Sequence, residues 1–339
     1  MIGLIGYVGT KDLGSVREAD ALSLNVINIA FALVENGDVV WEHPECKDAL
    51  ARLRSLNPDL KILVSVGGWG AGGFSEAAFT EEGRQRFADT AMGIVKEYGL
   101  DGVDIDWEYP CFSVAEIQGR PEDKENFTLL LKKLRETLDQ EEAGRYLLSA
   151  AVGGDDYFIR NTHMDQVGEI LDYVQIMSYD LRGGFQVLTG HHTNLFSYQT
   201  DLSDQSADKA VKQYHAAGVP LEKLVLGAAF YCREWQGVMN KDNNGLCQMA
   251  STTGSITHHY GELLESYINK NGYVRYWDDE AKAPYLFNGE NFISYDDEES
   301  IAWKIRYLKE KGLGGIMYWE YCCDGSHTLT EFMRKELDK

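Results

Sequence analysis

The chain has 339 residues, of which 44% are hydrophobic and 25% charged, with a formal net charge of −22. That is an ordinary globular composition with ample material for a core, in one large domain or two smaller ones. The acidity argues against nucleic acid and against an anionic membrane surface as partners, and leaves a neutral substrate open.

No run of about eighteen apolar residues occurs, so no membrane-spanning helix is expected. The start, Met1 to Tyr7, has no basic leader and reads as a first strand. As written, that implies the cytoplasm; a processed or engineered start would allow an extracellular protein. A monomer is expected.

In chain order, short β-rich apolar runs fall at Ile2–Tyr7, Val26–Leu33, Lys61–Val66, Gly102–Trp107, Leu147–Val152, Tyr173–Tyr179, Leu224–Tyr231 and Gly315–Trp319. Between them lie amphipathic helical patterns, among them Glu76–Tyr98, Lys124–Leu138, Ser206–Ala217 and Glu298–Lys311. Eight alternations with mostly continuous apolar strands predict an α/β fold, a closed (β/α)8 TIM barrel. The rival is an open doubly wound sheet, but no Gly-rich dinucleotide fingerprint follows the first strand.

One interval breaks the rhythm. The stretch from Tyr231 to Asp296 is rich in Tyr, Trp, Asn and Gly, has strand-like pieces at Gly272–Trp277 and Tyr285–Phe287, and is too long for a plain loop. It is read as a small α+β insertion on the catalytic rim after the seventh strand, covering residues 232–295. The barrel then comprises residues 1–231 and 296–339.

The six cysteines, at 46, 111, 232, 247, 322 and 323, match no zinc spacing, and the adjacent Cys322-Cys323 pair is poor material for a disulfide framework. Free thiols are the simpler reading, with a Cys232–Cys247 bridge as the alternative. Cys111, directly after Pro110, is read as a small loop residue. No metal and no cofactor are expected. The histidines have no triad-like company and are read as surface or supporting residues.

The chemistry concentrates in Asp101-Gly102-Val103-Asp104-Ile105-Asp106-Trp107-Glu108-Tyr109-Pro110. With the period of two of a strand, Asp104, Asp106 and Glu108 share one face, while Val103, Ile105 and Trp107 share the other. Three stacked carboxylates are costly to hide, because each ionised group that loses water needs a partner or a proton. A solvated edge strand is the bland alternative. A carboxyl that must donate and recover a proton, however, needs neighbours of this kind.

Barrel active sites form at the C-terminal strand ends. Those ends bring Tyr7, Phe31, Ser65-Val66-Gly67-Gly68-Trp69, the acidic ladder, Met177-Ser178-Tyr179-Asp180, Tyr231-Cys232-Arg233 and Met317-Tyr318-Trp319-Glu320 to one rim. Aromatic platforms with a few hydrogen-bonding groups suit a sugar ring, with its apolar C–H faces and polar edges.

Asp101 to Pro110 resembles the DGxDxDWEYP signature of family 18 glycoside hydrolases, the chitinase family. Ser65 to Trp69 is similar to that family's SxGGW segment, Met177 to Asp180 to its MxYD segment, and Thr189-Gly190-His191 to its TGH stretch. Tyr231-Cys232-Arg233 stands where the family often has Tyr-Gly-Arg, and Trp319 at its strand-eight tryptophan. After Trp319 the chain resembles the Trp-Glu version of bacterial members, as in a bacterial-type chitinase.

The resemblance implies hydrolysis of chitin or chitooligosaccharides. Ordinary retaining glycosidases use two carboxyls about 5 Å apart, and this family is a recognised exception in which the substrate's own N-acetyl group is the nucleophile. Glu108 would then be the acid and base, Asp106 would hold the acetamido N–H, and Tyr179 the acetamido oxygen. Asp180 would contact the sugar between subsites −1 and +1. Trp319 would floor subsite −1 beside Tyr7 and Phe31. Met177, Tyr231 and Arg233 complete the expected wall, Arg233 with equal weight as an ion-pair partner for a carboxylate. Trp69, Trp235 and Trp277 are expected platforms for more distant sugars, the last two with insertion core as the even alternative. The like charge of Asp106 should raise the pKa of Glu108, and Asp104 should share a proton or hydrogen bond with Asp106. The alternatives are a chitin-binding lectin that does not cut, and an endo-β-N-acetylglucosaminidase acting on N-glycans.

Overall fold

The computed structural model describes residues 3–201 and 203–339, so Ile2, expected to open the first strand, lies outside the described residues. Thirteen strands are found among them: β1 (Gly3–Gly9), β2 (Val26–Glu35), β3 (Asp38–Val40), β4 (Lys61–Gly67), β5 (Gly102–Asp106), β6 (Leu147–Gly153), β7 (Tyr173–Met177), β8 (Leu224–Ala229), β9 (Arg233–Trp235), β10 (Val274–Asp278), β11 (Ala283–Phe287), β12 (Phe292–Ser294) and β13 (Gly315–Trp319). Eight of them pair in parallel in the order β1-β13-β8-β7-β6-β5-β4-β2, and β1 pairs with β2 to close the ring. The fold is a (β/α)8 TIM barrel. β3 adds an antiparallel ribbon to β2 that apolar periodicity did not flag.

Strand composition explains the layering. Val103, Ile105 and Trp107 face outward into the shell between barrel and helices, where Trp107 stacks on Phe74 with ring centroids 5.3 Å apart and meets Phe127 edge-on at 6.0 Å. The interior is filled by Ile5, Leu63, Ala151, Val225 and Met317 and, nearer the rim, by Tyr7, Tyr179 and Tyr231. The acidic residues of β5 have the opposite parity to Val103 and Ile105 and so point inward.

Several boundaries move. The helical pattern Glu76–Tyr98 is two helices, Phe74–Phe79 and Glu81–Tyr98, because Thr80 leaves helical geometry and caps the second through its side chain, which accepts from the Gly83 N–H. β5 stops at Asp106, β7 at Met177 and β8 at Ala229, so Glu108, Tyr179, Asp180, Tyr231 and Arg233 all lie just beyond barrel strands. The helices at Ala207–Ala216 and Glu298–Lys311 and strand β13 fall where expected.

After β8 the chain leaves the barrel and builds a four-stranded antiparallel sheet, β10-β11-β12-β9, with a helix at Tyr260–Ser266. This is the expected α+β insertion. Its core holds Trp235, Tyr285, Phe287 and Phe292, together with Tyr198 from the loop that follows β7. That loop is fastened to the insertion where Leu195 and Phe196 both donate to the Ala281 carbonyl and His191 lies 3.0 Å from Asp278.

The insertion rejoins the barrel at a buried ion pair. Lys304 Nζ donates to Asp296 Oδ2 at 2.6 Å and to Thr193 Oγ1 at 2.6 Å, with both charged side chains fully buried. Asp296 also accepts from the Ala229 N–H, and Thr193 donates to the Ser178 carbonyl. Ends of β7 and β8 are thereby held to the same cation. Such a pair is costly to desolvate and persists because its remaining hydrogen-bond capacity is met.

Candidate active site

The floor of the site is set by strand register. Ser65 on β4, Asp104 on β5 and Ser149 on β6 are Cα partners across three neighbouring strands. Asp104 is fully buried and accepts four hydrogen bonds: at Oδ2 from Ser65 Oγ (2.6 Å) and the Tyr7 hydroxyl (2.8 Å), at Oδ1 from Ser149 Oγ (2.7 Å) and Gln175 Nε2 (2.8 Å). Gln175 is in turn oriented by Asn28, whose amide donates to its oxygen at 3.1 Å. Burial pushes the Asp104 carboxyl up and these donors push it back.

This corrects one expectation. Both Asp104 oxygens are taken by residues of other strands, and no Asp104–Asp106 hydrogen bond forms. Asp106, 4% exposed, keeps Oδ1 buried with no partner among the described residues. Burial, then the charges of Glu108 and Asp104, hold its carboxyl well above the usual range. Two glycines make room beside it. A Cβ on Gly67 would fall 2.0 Å from the Asp106 carbonyl oxygen, and one on Gly68 would meet the Phe31 ring at 2.6 Å. Both adopt positive φ, 120° and 92°, where side chains are strained.

Glu108 caps the ladder, 9% exposed, with its pKa pushed up to about 7. Burial is the leading cause, the Tyr109 hydroxyl opposes it, and the Asp180 charge adds to it. The expected driver, Asp106, registers its repulsion with Glu108 on its own carboxyl instead. A carboxyl at that pKa can both give and take a proton near neutrality.

Tyr179 and Asp180 follow β7. The Tyr179 hydroxyl is buried 3.8 Å from Met317 Sδ, its ring lies edge-on to Tyr231, and the charges of Asp106, Glu108, Asp180 and Asp104 all reach it. Asp180 opens to solvent on one side and receives Arg233 Nε at 2.7 Å, with His192 Nδ1 at 3.5 Å. Burial raises its pKa, and these two partners more than reverse that, so it stays ionised. Arg233 thus serves as the ion-pair partner, and its Nη1 also donates to the Gly254 carbonyl of the insertion at 3.1 Å.

Opposite, Trp319 stacks on Phe31 (5.4 Å, 19°) and tilts against Tyr7 (5.7 Å, 59°). Met177 and Tyr231 are buried in the interior cluster beneath this rim. Trp69 is 56% exposed and lies within 6.5 Å of Tyr109 on one side and Phe185 on the other. The structure therefore gathers Tyr7, Phe31, Asp104, Asp106, Glu108, Tyr179, Asp180, Arg233 and Trp319 into one cleft.

Two expected platforms are not brought to it. Trp235 is fully buried in the insertion core and donates from Nε1 to the Gln186 carbonyl. Trp277 packs against the Arg275 guanidinium on β10. All six cysteines are free, so the Cys232–Cys247 bridge is not formed. The Cys111 N–H donates to Asp123, which also fixes Ser75 and Arg120, so this residue belongs to the loop scaffold.

Residues that sequence reasoning missed are Ser65, Ser149, Gln175 and Asn28 as the cradle of Asp104, Tyr109 beside Glu108, and Phe185 beside Trp69. The four cradle residues share a signal, a polar residue at an inward position of an otherwise apolar strand, whereas Tyr109 and Phe185 lie outside the strands and carried none. His192 was placed among the supporting residues, and it is one, but fully buried behind Asp180.

The model for glycosyl hydrolases family 18 matches residues 4–324. Among curated proteins, the chain is 40% identical to chitinase A1 of Niallia circulans over 88% of its own length, and spans 46% of the length of that relative. Among solved structures it is similar to a family 18 N-acetylglucosaminidase from Paenibacillus barengoltzii, with 50% identity, TM-score 0.97, and coverage of 99% of this chain and all of that one. It is also similar to an Ostrinia furnacalis Group IV chitinase in complex with allosamidin, at 29% identity and TM-score 0.87, covering 100% of this chain and 98% of the other. With the acidic ladder seated inside a closed barrel and the family match running almost end to end, the chain belongs to glycosyl hydrolases family 18.

Proposed function

We propose that this chain hydrolyses β-1,4-linked N-acetylglucosamine polymers or oligomers with retention of configuration, the substrate's N-acetyl group acting as nucleophile. One observation carries the reading: a buried Glu108 with a pKa near 7 stands above Asp106, whose Oδ1 has no partner among the described residues. In this scheme Glu108 protonates the glycosidic oxygen while the −1 acetamido carbonyl oxygen attacks the anomeric carbon. The C–O bond breaks and an oxazolinium ion forms. Asp106 accepts the acetamido N–H and balances the positive charge, and Tyr179 donates to the acetamido oxygen. Glu108, now a carboxylate, takes a proton from water, whose oxygen attacks the anomeric carbon from the side the leaving group vacated.

Trp319, Phe31 and Tyr7 supply the apolar bed of the −1 sugar, and Trp69 a platform further along. Asp104 holds the floor of the ladder. Asp180, kept ionised by Arg233 and His192, offers a hydrogen-bond acceptor at the −1 to +1 junction, and Met177 and Tyr231 shape the wall behind it. The substrate is chitin or a chitooligosaccharide, taken by a monomer. We take residues 232–295 as an insertion walling this cleft and 1–231 with 296–339 as the barrel, in keeping with a sheet that runs from Arg233 to Ser294. A sugar-binding protein without turnover has no need of a protonated acid at position 108.

The test is cleavage of N-acetylglucosamine hexamer with the product anomers resolved. Retained β-anomers are expected first, and an oligomer with unacetylated glucosamine at −1 should stay intact. Inverted products, or cleavage at the unacetylated sugar, would overturn the mechanism.

A further inference from the structure

β13 delivers Trp319 and then turns sharply through Tyr321–Cys323. In that turn the Cys322 and Cys323 sulfurs and a Glu320 carboxylate oxygen lie within 4.8 Å of one another, a grouping unique among the described residues. We infer that Glu320, Cys322 and Cys323 form a binding site for one thiophilic divalent cation of the zinc and cadmium type, on the rim of the cleft beside Trp319. Thiolates select such ions over the harder magnesium and calcium.

The distances suit the ion. Tetrahedral coordination about 2.3 Å from each sulfur holds two sulfurs about 3.8 Å apart, so side-chain rotation of roughly an ångström closes the present arrangement. Cys322 is exposed and Cys323 buried, giving the ion an entry side and a fixed side.

A further carboxylate stands nearby, outside that group of three. Asp12 Oδ2 is buried without a partner among the described residues. A Cβ built on Gly9 would lie 2.7 Å from that oxygen and 3.9 Å from Glu320 Oε2, so both carboxylates border the space that this glycine keeps clear. Lys11 places positive charge near Glu320. Charge attraction is therefore partly offset, and the metal–sulfur bonds must supply most of the affinity. Binding forms two metal–sulfur bonds and releases two thiol protons to solvent, with no change of oxidation state.

The test is titration of the full, reduced, metal-stripped chain with cadmium alone, following the ultraviolet thiolate-to-metal charge-transfer band and proton release. One ion per chain and two protons per ion are expected. Affinity should fall at least about 10-fold in Cys322→Ser and in Glu320→Gln. Cys322 is exposed, so its substitution leaves the core intact, and far-ultraviolet circular dichroism checks this. A variant carrying Cys111→Ser and Cys247→Ser, the other partly exposed thiols, should bind as the parent does. No saturable band, binding that survives Cys322→Ser, or binding lost with Cys111 and Cys247 would each overturn the site. The readout involves no sugar, so it stands apart from the fate of the hydrolase reading.

Discussion

Asp104 and Asp106 sit two residues apart on β5, face the same way and are both buried, yet their carboxylates live in opposite circumstances. Asp104 has four donors, one from each of four other strands. Asp106 has an oxygen with none among the described residues. Satisfied polar groups rigidify a core, whereas an unsatisfied buried acceptor is costly unless something arrives to meet it. The lower half of the ladder is therefore scaffold, and the upper half is left open for a ligand N–H.

Substitutions can break this contrast at three points. The largest effect is expected at Glu108→Gln, which keeps the shape and removes the transferable proton. Turnover should fall roughly 10²- to 10⁴-fold or more while oligosaccharide binding stays measurable. The parent's activity should decline as pH rises through about 7, where Glu108 loses its proton. Stability follows the same sign. The folded carboxyl has a pKa raised above its unfolded 4.5, so its contribution is complete below 4.5 and lost as pH rises through about 7. Glu108→Gln should flatten that part of the stability curve, and an unchanged slope in denaturant titrations would refute the assignment.

Asp106→Asn comes next. It removes the charge that balances the oxazolinium ion, and kcat should drop by roughly 10²-fold with little change in melting temperature. The smallest catalytic effect and the largest structural one belong to Asp104→Asn, which turns an amide toward a nest of donors. About 1–3 kcal/mol of unfolding free energy should be lost, with a kcat loss smaller than that of Asp106→Asn. If Asp104→Asn proved as stable as the parent but equally inactive as Asp106→Asn, the division into scaffold and open half would fail.

Much of this was legible beforehand, for identifiable reasons. β-rich apolar runs separated by amphipathic stretches marked the eight barrel strands, and alternation within Asp101–Pro110 put the acids on one face. Strand ends were less legible, because apolar runs continue past the last ladder hydrogen bond. The expected strands run to Trp107, Tyr179 and Tyr231, whereas the observed ones stop one residue earlier in the first case and two in the others. The cradle of Asp104 was not legible at all. Ser65, Ser149 and Gln175 each looked like a lone polar residue in an apolar run, and only the parallel register aligns Ser65 and Ser149 with Asp104. The aromatic residues of the insertion failed as site markers for a similar reason. Trp235 and Trp277 have the composition of a sugar platform, but the small sheet uses Trp235 to fill its own core and Trp277 stacks on the Arg275 guanidinium.

The Lys304–Asp296–Thr193 knot has a consequence in time as well as in space. Thr193 lies 103 residues before Asp296 and 111 before Lys304. On a ribosome, which emits the chain from its N-terminus, the loop after Tyr179 and Asp180 emerges long before the lysine that anchors it. A nascent chain that ends at β8 thus has its proton-transfer residues already made, but its rim is untethered and its ring still lacks β13. The anchor closes only once the whole insertion has been traversed, which makes order in the cleft a late event of biosynthesis rather than an early one.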